Sequence, residues 1–194
     1  DKKYRDKMPR TVPHPNGGDA LYVEGAPLFQ VAYLDNRGGR TNEDWQPFDI
    51  KVEDTAGNGP PEQRLQEQDT DGCAAEVLFP NMQAGPGLWR KIADNDAYLA
   101  AVRAYNDWLA EDYPKRLLGL GMMPMATLAD SLTELEHCAK LGLPGICLSA
   151  FPNGMAYPLP EDDTFWKAAM DMKMPITVHV TFDRSGARAN QPTF

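Results

Sequence analysis

The residue with the most specific chemistry in this sequence is His179, which ends the strand-like stretch 174–180. Pro175 opens that stretch, and the β-branched run 176–178 favours extended backbone. An imidazole at the end of a strand can point out of the core, where it is free for a functional role. His179 is therefore a candidate functional residue, with a purely structural histidine as the alternative.

Three more residues at strand ends are candidates for contacting a substrate. Asn81 follows the predicted strand 74–80, whereas Ser149 and Phe151 stand at the end of the predicted strand 145–149. Loops at the ends of buried strands frequently carry binding residues. Each of the three also fits a structural role in a turn, because position is the sole reason to select them.

Charged residues beyond His179 extend the set of candidates. Arg184 and Arg188 could hold a substrate carboxylate through paired N–H donors. A solvated loop is the simpler interpretation of both arginines. Asp183 is interpreted as a loop carboxylate.

The second part of the chain has the pattern of a parallel sheet. Four apolar runs are centred near Val77, Leu120, Cys147 and Val178, and helical patterns separate them. A repeat of roughly 30 residues is typical of βαβ units. Periodicity alone allows a (β/α)8 barrel or a doubly wound sheet, but no glycine-rich nucleotide-binding motif follows any of the runs. The predicted fold class is therefore α/β.

The helices between these runs have their own sequence signals. Apolar residues recur at helical spacing over 98–109 and over 128–139. Thr127 is the predicted N-cap of the second of these helices, and Gly142 is its predicted stop. Two further helices are predicted, 61–68 and 161–170.

The first 60 residues are predicted to be an irregular insertion before the sheet-forming part, 61–194. Prolines and paired glycines interrupt them too often for long helices. One β-hairpin is predicted near 20–31, from two strand-like runs around a turn. His14 in this segment is interpreted as a solvated loop residue, and His137 farther on as a packing residue on a helix surface.

The composition is ordinary for a soluble globular protein and argues against several partners. The net charge of −9 disfavours both a nucleic-acid backbone and an anionic membrane surface. No apolar run approaches the about 20 residues that a membrane span needs. Cys73, Cys138 and Cys147 form no C-x-x-C pair, so we expect reduced thiols and a cytoplasmic location.

Three stretches carry motifs longer than single residues. In the first, Phe-Trp-x-x-Ala at 165–169 leads through the proline-containing strand into His179. The second reads D-x-D-G-x-x-x-E-V-L-F-P over 69–80, and the third is the opening segment 4–10. Together they resemble the amidohydrolase-related (amidohydrolase-2) family of metal enzymes, which includes the aminocarboxymuconate-semialdehyde decarboxylase-like enzymes.

The resemblance implies part of a (β/α)8 TIM barrel, about strands two to five, with a small N-terminal loop or hairpin insertion. It makes His179 the metal ligand at the end of the fifth strand, and the expected metal is divalent, with Zn2+ as the first choice. The family also supplies an H-x-H pair from the first strand, a histidine from the sixth and an aspartate from the last. This sequence contains no H-x-H pair. The resemblance therefore implies an interior piece of a longer barrel.

The resemblance also implies a metal-dependent enzyme that acts on a small carboxylate or cyclic substrate, by decarboxylation or by hydrolysis. The decarboxylase-like branch is favoured because its Phe-Trp helix and proline-containing strand match this chain. No catalytic residue is assigned, and we expect a homo-oligomer. Two alternatives stay open: a barrel relative that binds a small molecule without turnover, and a structural half-barrel that depends on another subunit.

Overall fold

The computed structural model describes residues 2–24, 27–30, 60–80, 89–112, 115–124, 126–155 and 157–179. The strands are β1 (Arg10–Pro13), β2 (Asp19–Tyr22), β3 (Phe29–Gln30), β4 (Glu76–Leu78), β5 (Leu117–Gly119), β6 (Gly121–Met122), β7 (Ile146–Leu148) and β8 (Ile176–Val178). The α-helices are α1 (Pro61–Asp71), α2 (Asn95–Asp112), α3 (Leu128–Leu141) and α4 (Asp163–Asp171), and 3-10 helices cover Lys2–Lys7 and Pro160–Asp162. The fold is thus mixed α/β.

The first three strands form an antiparallel ribbon. β2 pairs with β3, with Leu21 opposite Phe29, where the sequence predicts a hairpin. β1 adds a third strand, with Val12 opposite Ala20. The expectation of an irregular chain is therefore wrong for β1, because an edge strand tolerates a proline such as Pro13, which lacks an N–H. The remainder of this segment, 31–59, lies outside the described residues.

The later strands are parallel and form one continuous array. β4 pairs with β5, and β6, β7 and β8 lie side by side. Leu120, between β5 and β6, donates its N–H to the carbonyl of Leu78 at 3.0 Å, and Gly121 donates to Gly145 at 2.9 Å. Successive N–H groups thus reach opposite neighbours, as in a central strand. The predicted parallel arrangement of the four apolar runs is confirmed.

Two glycines let the helices approach one face of this array closely. A Cβ on Gly119 would lie 2.7 Å from Cδ2 of Leu109 in α2. A Cβ on Gly121 would lie 2.8 Å from Sγ of Cys138 in α3. Side chains alternate between the two faces of a strand, so the register fixes which residues point away from the helices. They are Val77 of β4, Cys147 of β7 and Thr177 of β8, and the residues that directly follow these strands, Phe79, Ser149 and His179.

The helix ends follow the sequence signals closely. Thr127 accepts the N–H of Asp130 through its hydroxyl at 3.1 Å, and Gly142 stops α3 in the left-handed region at a φ of 77°. Both predicted ends of α3 are confirmed. α1 runs three residues beyond its predicted end, to Asp71, because the backbone turns only at Gly72.

The apolar core lies between α2, α3, α4 and the strands. Its largest fully buried side chains include Tyr98 of α2 and Phe165 of α4. Tyr98 also uses its hydroxyl, which donates to the carbonyl of Pro124 at 2.8 Å. In the part of the chain that the structure describes, no helix is both long and apolar enough to cross a bilayer.

Candidate active site

The backbone of His179 is fixed one residue past β8. Its N–H donates to the carbonyl of Leu148, the last residue of β7, at 2.8 Å. The parallel ladder therefore continues to His179, and strand alternation puts the half-buried imidazole on the face away from the helices. This position is at the carboxyl ends of the strands, the edge at which α/β enzymes bind substrates.

The ring of Phe79 meets the imidazole of His179 at this edge. Phe79 directly follows β4, as His179 directly follows β8. The two ring centroids are 5.5 Å apart, and the ring planes are tilted by 48°. In a flat sheet, three steps of about 4.8 Å between neighbouring strands would hold these residues about 14 Å apart. The array therefore curls, and the two rings meet on its concave side.

Ser149 and Phe151 lie in the turn that follows β7. Ser149 is fully buried, whereas Phe151 is half-buried. The N–H of Phe151 donates to the carbonyl of Met155 at 3.2 Å, and the N–H of Gly154 donates to the carbonyl of Phe151 at 2.8 Å. Both residues thus stand at the same edge as His179. Their contact with a substrate stays a prediction.

A buried carboxylate that the sequence reasoning missed braces the loop after β7. Asp162, 1% exposed, accepts the backbone N–H of Asn153 at 2.9 Å and that of Leu159 at 2.8 Å. It also accepts the side-chain amide of Asn153 at 2.5 Å. These bonds join the two ends of the loop 153–159. From the sequence alone, an aspartate just before a helix is expected to cap that helix. The bonds from Asp162 across the loop are therefore not predicted.

An asparagine on α2 holds the carboxyl end of β6. Nδ2 of Asn106 donates to the carbonyl of Met122 at 2.9 Å, and Oδ1 accepts the N–H of Met122 at 2.8 Å. Nδ2 also donates to Glu134 at 2.8 Å, and Glu134 accepts Nε of Arg103 at 2.7 Å. β4 ends before it reaches Met122. The side-chain amide of Asn106 therefore makes the two backbone hydrogen bonds that a neighbouring strand would make. The sequence signal that could have selected Asn106 is a polar residue within the apolar stripe of α2.

The strand residues directly below the site are uncharged. Cys147 lies opposite Thr177 in the register, one row beneath Ser149 and His179. Burial raises the pKa of the Cys147 thiol, against a smaller opposing effect of its hydrogen bond with Thr177. The thiol therefore stays protonated at neutral pH. These two side chains give the candidate site a floor without ionised groups.

The comparison with protein families covers most of the chain. The amidohydrolase family model matches residues 52–193. The chain belongs to the amidohydrolase family. The matched region contains all the parallel strands together with Phe79 and His179, so the candidate site lies inside the amidohydrolase domain.

A curated relative of this chain is a decarboxylase. The chain is 36% identical over 98 residues to the 2-amino-3-carboxymuconate-6-semialdehyde decarboxylase of Dictyostelium discoideum. The alignment covers 48% of this chain and 26% of the relative. The resemblance stated from the sequence motifs is thus confirmed.

Solved structures show the same fold. An amidohydrolase from Mycobacterium avium subsp. paratuberculosis K-10 matches 97% of this chain and 55% of its own, with a TM-score of 0.65 at 15% identity. A dihydroxybenzoic acid decarboxylase from Polaromonas sp. JS666, with bound manganese and the inhibitor 2-nitroresorcinol, matches 74% of this chain and 43% of its own. Its TM-score is 0.51 at 26% identity. The α/β fold is therefore that of the TIM-barrel-like amidohydrolases, and the chain spans about half the length of these structures and a quarter of the curated relative.

The structure tests the remaining candidate residues only in part. Within the described residues, no group of three or more His, Cys, Asp or Glu side chains is placed to hold a metal ion. The candidates outside the described residues are Asn81, Asp183, Arg184 and Arg188. His179 is thus the one predicted ligand that the structure places.

The other two histidines belong to other elements. His14 is in the turn between β1 and β2, where Nδ1 accepts the N–H of Asn16 at 3.1 Å. Nε2 of His137 on α3 is 2.5 Å from Oδ1 of Asp107 on α2. His137 is half-buried on a helix side, as predicted, whereas His14 lies in a turn but is half-buried and not fully solvated.

Proposed function

We propose that this chain carries strands two to five of the (β/α)8 barrel of a metal-dependent enzyme that acts on a small carboxylate substrate. β4, the run of β5 and β6, β7 and β8 would be those strands, and the antiparallel ribbon would be the N-terminal insertion. The observation that carries the proposal is the placement of His179. Its imidazole stands at the carboxyl edge of the strands, inside the region that matches the family.

The donor at this edge suits a divalent metal. A neutral imidazole is a common ligand of zinc and of other first-row metals. The Polaromonas decarboxylase holds manganese, and the sequence reasoning favours Zn2+, so the proposed cofactor is a divalent metal of this group. A catalytic site generally uses three protein ligands. His179 would be one of them, and the others would come from residues beyond those described.

The metal, when bound, would polarise a substrate oxygen or lower the pKa of a bound water. The residues of this chain would orient its ligand. The backbone bond to Leu148 fixes the position of the His179 Cα, and the ring of Phe79 lies beside the imidazole. Because Cys147 and Thr177 below the site are uncharged, the metal cation would dominate the local electric field.

Decarboxylation of an aromatic or unsaturated acid is the favoured reaction. The Dictyostelium relative and the Polaromonas structure are both decarboxylases. Hydrolysis of a lactone or an amide is the second possibility that the sequence reasoning leaves open. A small-molecule substrate, the absence of nucleic-acid and membrane partners, a homo-oligomer and a cytoplasmic location stay predictions.

The test is a set of histidine variants in the full-length protein. We expect His179→Ala to lose most of the bound metal by elemental analysis, and at least about 100-fold of the activity, because an incomplete ligand set holds the metal weakly. His14→Ala and His137→Ala are matched controls that should keep both. Activity is measured as carbon dioxide release from aromatic and unsaturated acids, beside hydrolysis of lactones and amides.

Each outcome distinguishes one functional hypothesis from the others. Stoichiometric metal in purified His179→Ala protein would overturn the metal assignment. If the protein hydrolyses lactones or amides but releases carbon dioxide from no acid, the hydrolase hypothesis replaces the decarboxylase hypothesis. A metal-loaded protein that binds the acids but converts none of the compounds would favour the non-catalytic relative.

A further inference from the structure

Phe79 places a large apolar ring beside the candidate metal ligand. It is 45% exposed, directly follows β4, and its ring centroid lies 5.5 Å from that of the His179 imidazole. Val77 lies two residues earlier on the same face of β4, farther from the carboxyl edge. Phe79 is therefore the apolar side chain of this strand that lies at the edge together with His179.

The geometry at Phe79 suits a flat ring better than a bulky one. Aromatic pairs prefer offset or tilted arrangements with centroids 4.5–7 Å apart, and the pair of Phe79 and His179 is within that range. A planar group that binds next to the imidazole would meet the ring of Phe79. A saturated ring of the same size would present axial hydrogens to it and would pack less closely.

We propose that Phe79 is a specificity-determining residue that stacks on the planar part of the substrate and holds the ring plane of His179. The proposal rests on the proposed function, because it takes the substrate to enter beside His179. It assigns to this ring the preference for a planar, unsaturated or aromatic carboxylate over its saturated counterpart. The sequence reasoning did not select Phe79, because the motif that contains it predicted only a strand end.

The test compares two probes that differ in planarity, benzoate and cyclohexanecarboxylate. Their dissociation constants are measured by calorimetry on the metal-loaded full-length protein. Stacking contributes about 0.5–1.5 kcal/mol beyond burial, so we expect Phe79→Leu to lower the preference for benzoate by about two- to twelvefold. Phe79→Tyr keeps the ring and should retain the preference. Trp108→Leu removes an equally exposed ring, 42% exposed, from the outer helix α2 and is the matched control.

A second readout reports the contact itself and needs neither metal nor turnover. The ring current of Phe79 should displace the proton resonances of the His179 imidazole. We expect Phe79→Leu to remove that displacement in the NMR spectrum of the metal-free protein. His179→Ala identifies the resonances, and those of His14 and His137 should stay in place.

The failure of this inference is distinguishable from failure of the proposed function. A benzoate preference in Phe79→Leu within twofold of wild type, at equal metal content and unfolding midpoint, overturns the inference alone. A wild-type protein that binds both probes equally, or neither, also overturns it. Loss of the metal assignment is read separately, from the metal content of His179→Ala.

Discussion

The two edges of the parallel strands are held by different kinds of interaction. At the amino edge, Nε of Arg64 donates to Oε2 of Glu76 at 3.0 Å, and Nη1 of Arg116 donates to Asp69 at 2.7 Å. These ion pairs are partly exposed, and Asp69 has 67% of its side chain in contact with solvent. At the carboxyl edge, the corresponding bonds come from side chains that are almost fully buried, such as Asn106.

The difference between the edges concerns what is lost when a side chain is removed. An exposed ion pair contributes about 0–1 kcal/mol, because water and salt replace it readily. Truncating a buried partner leaves donors and acceptors unsatisfied, at about 1–3 kcal/mol for each group. The carboxyl edge, which carries the candidate site, should therefore tolerate polar substitutions less well than the amino edge.

The largest expected effect on stability is that of Asn106→Ala. The change leaves the N–H and the carbonyl of Met122 without their partner, and Glu134 loses a donor. We expect the free energy of unfolding to fall by about 3 kcal/mol, measured by urea denaturation. Glu111→Ala, exposed near the end of the same helix, is the matched control and should change it by less than about 0.5 kcal/mol. A loss below about 1 kcal/mol for Asn106→Ala would contradict the comparison.

Asp162→Ala should have the second-largest effect on stability, and this effect should be concentrated in one loop. Its removal frees the N–H groups of Asn153 and Leu159, and we expect a loss of about 2 kcal/mol in the free energy of unfolding. Limited proteolysis should then cut within the loop 153–159 while the helices stay intact. The matched control is Glu161→Ala, an exposed carboxylate next to it. Equal cleavage rates in both variants would show that Asp162 does not order the loop.

These buried bonds are also where the sequence was least informative. Helix ends such as Thr127 and Gly142, and the parallel order of the strands, follow from local signals within a few residues. The bond between Asn106 and Met122 joins residues that are 16 positions apart and belong to different elements. A periodicity argument assigns a polar residue to the surface unless its partner is known. Glu134 on α3 is an example: it is only 4% exposed and bonds to Asn106 on α2.

The candidate site was predictable as single residues and not as an arrangement. The strand pattern and the family motif selected His179, and the structure places it at the carboxyl edge. The contact between Phe79 and His179 depends on how far the array curls, which results from the twist of all four strands together. No local pattern contains that information. Ser149 is fully buried, which its place at a strand end did not predict.

The smallest expected effect belongs to the amino edge and depends on pH. The Arg64 guanidinium beside Glu76 holds the pKa of that carboxyl below its ordinary value of 4.5, with a further contribution from Gln68. A depressed pKa stabilises the folded state above the unfolded pKa, and the stabilisation is lost as the pH falls through the folded pKa. We therefore expect the pair to stabilise the protein near pH 7 and to stop doing so in acid, well below pH 4.5.

A double-mutant cycle isolates this pair from its surroundings. Arg64→Gln, Glu76→Gln and the double variant are unfolded in urea at pH 7 and again in acid, and the coupling energy is taken from the four proteins. We expect a coupling below about 1 kcal/mol at pH 7, because both side chains are partly exposed. In acid the coupling should approach zero, since a protonated Glu76 no longer attracts the guanidinium. A coupling above about 2 kcal/mol, or one that persists in acid, would contradict this comparison. It would show that the interactions at the amino edge are as strong as those at the carboxyl edge.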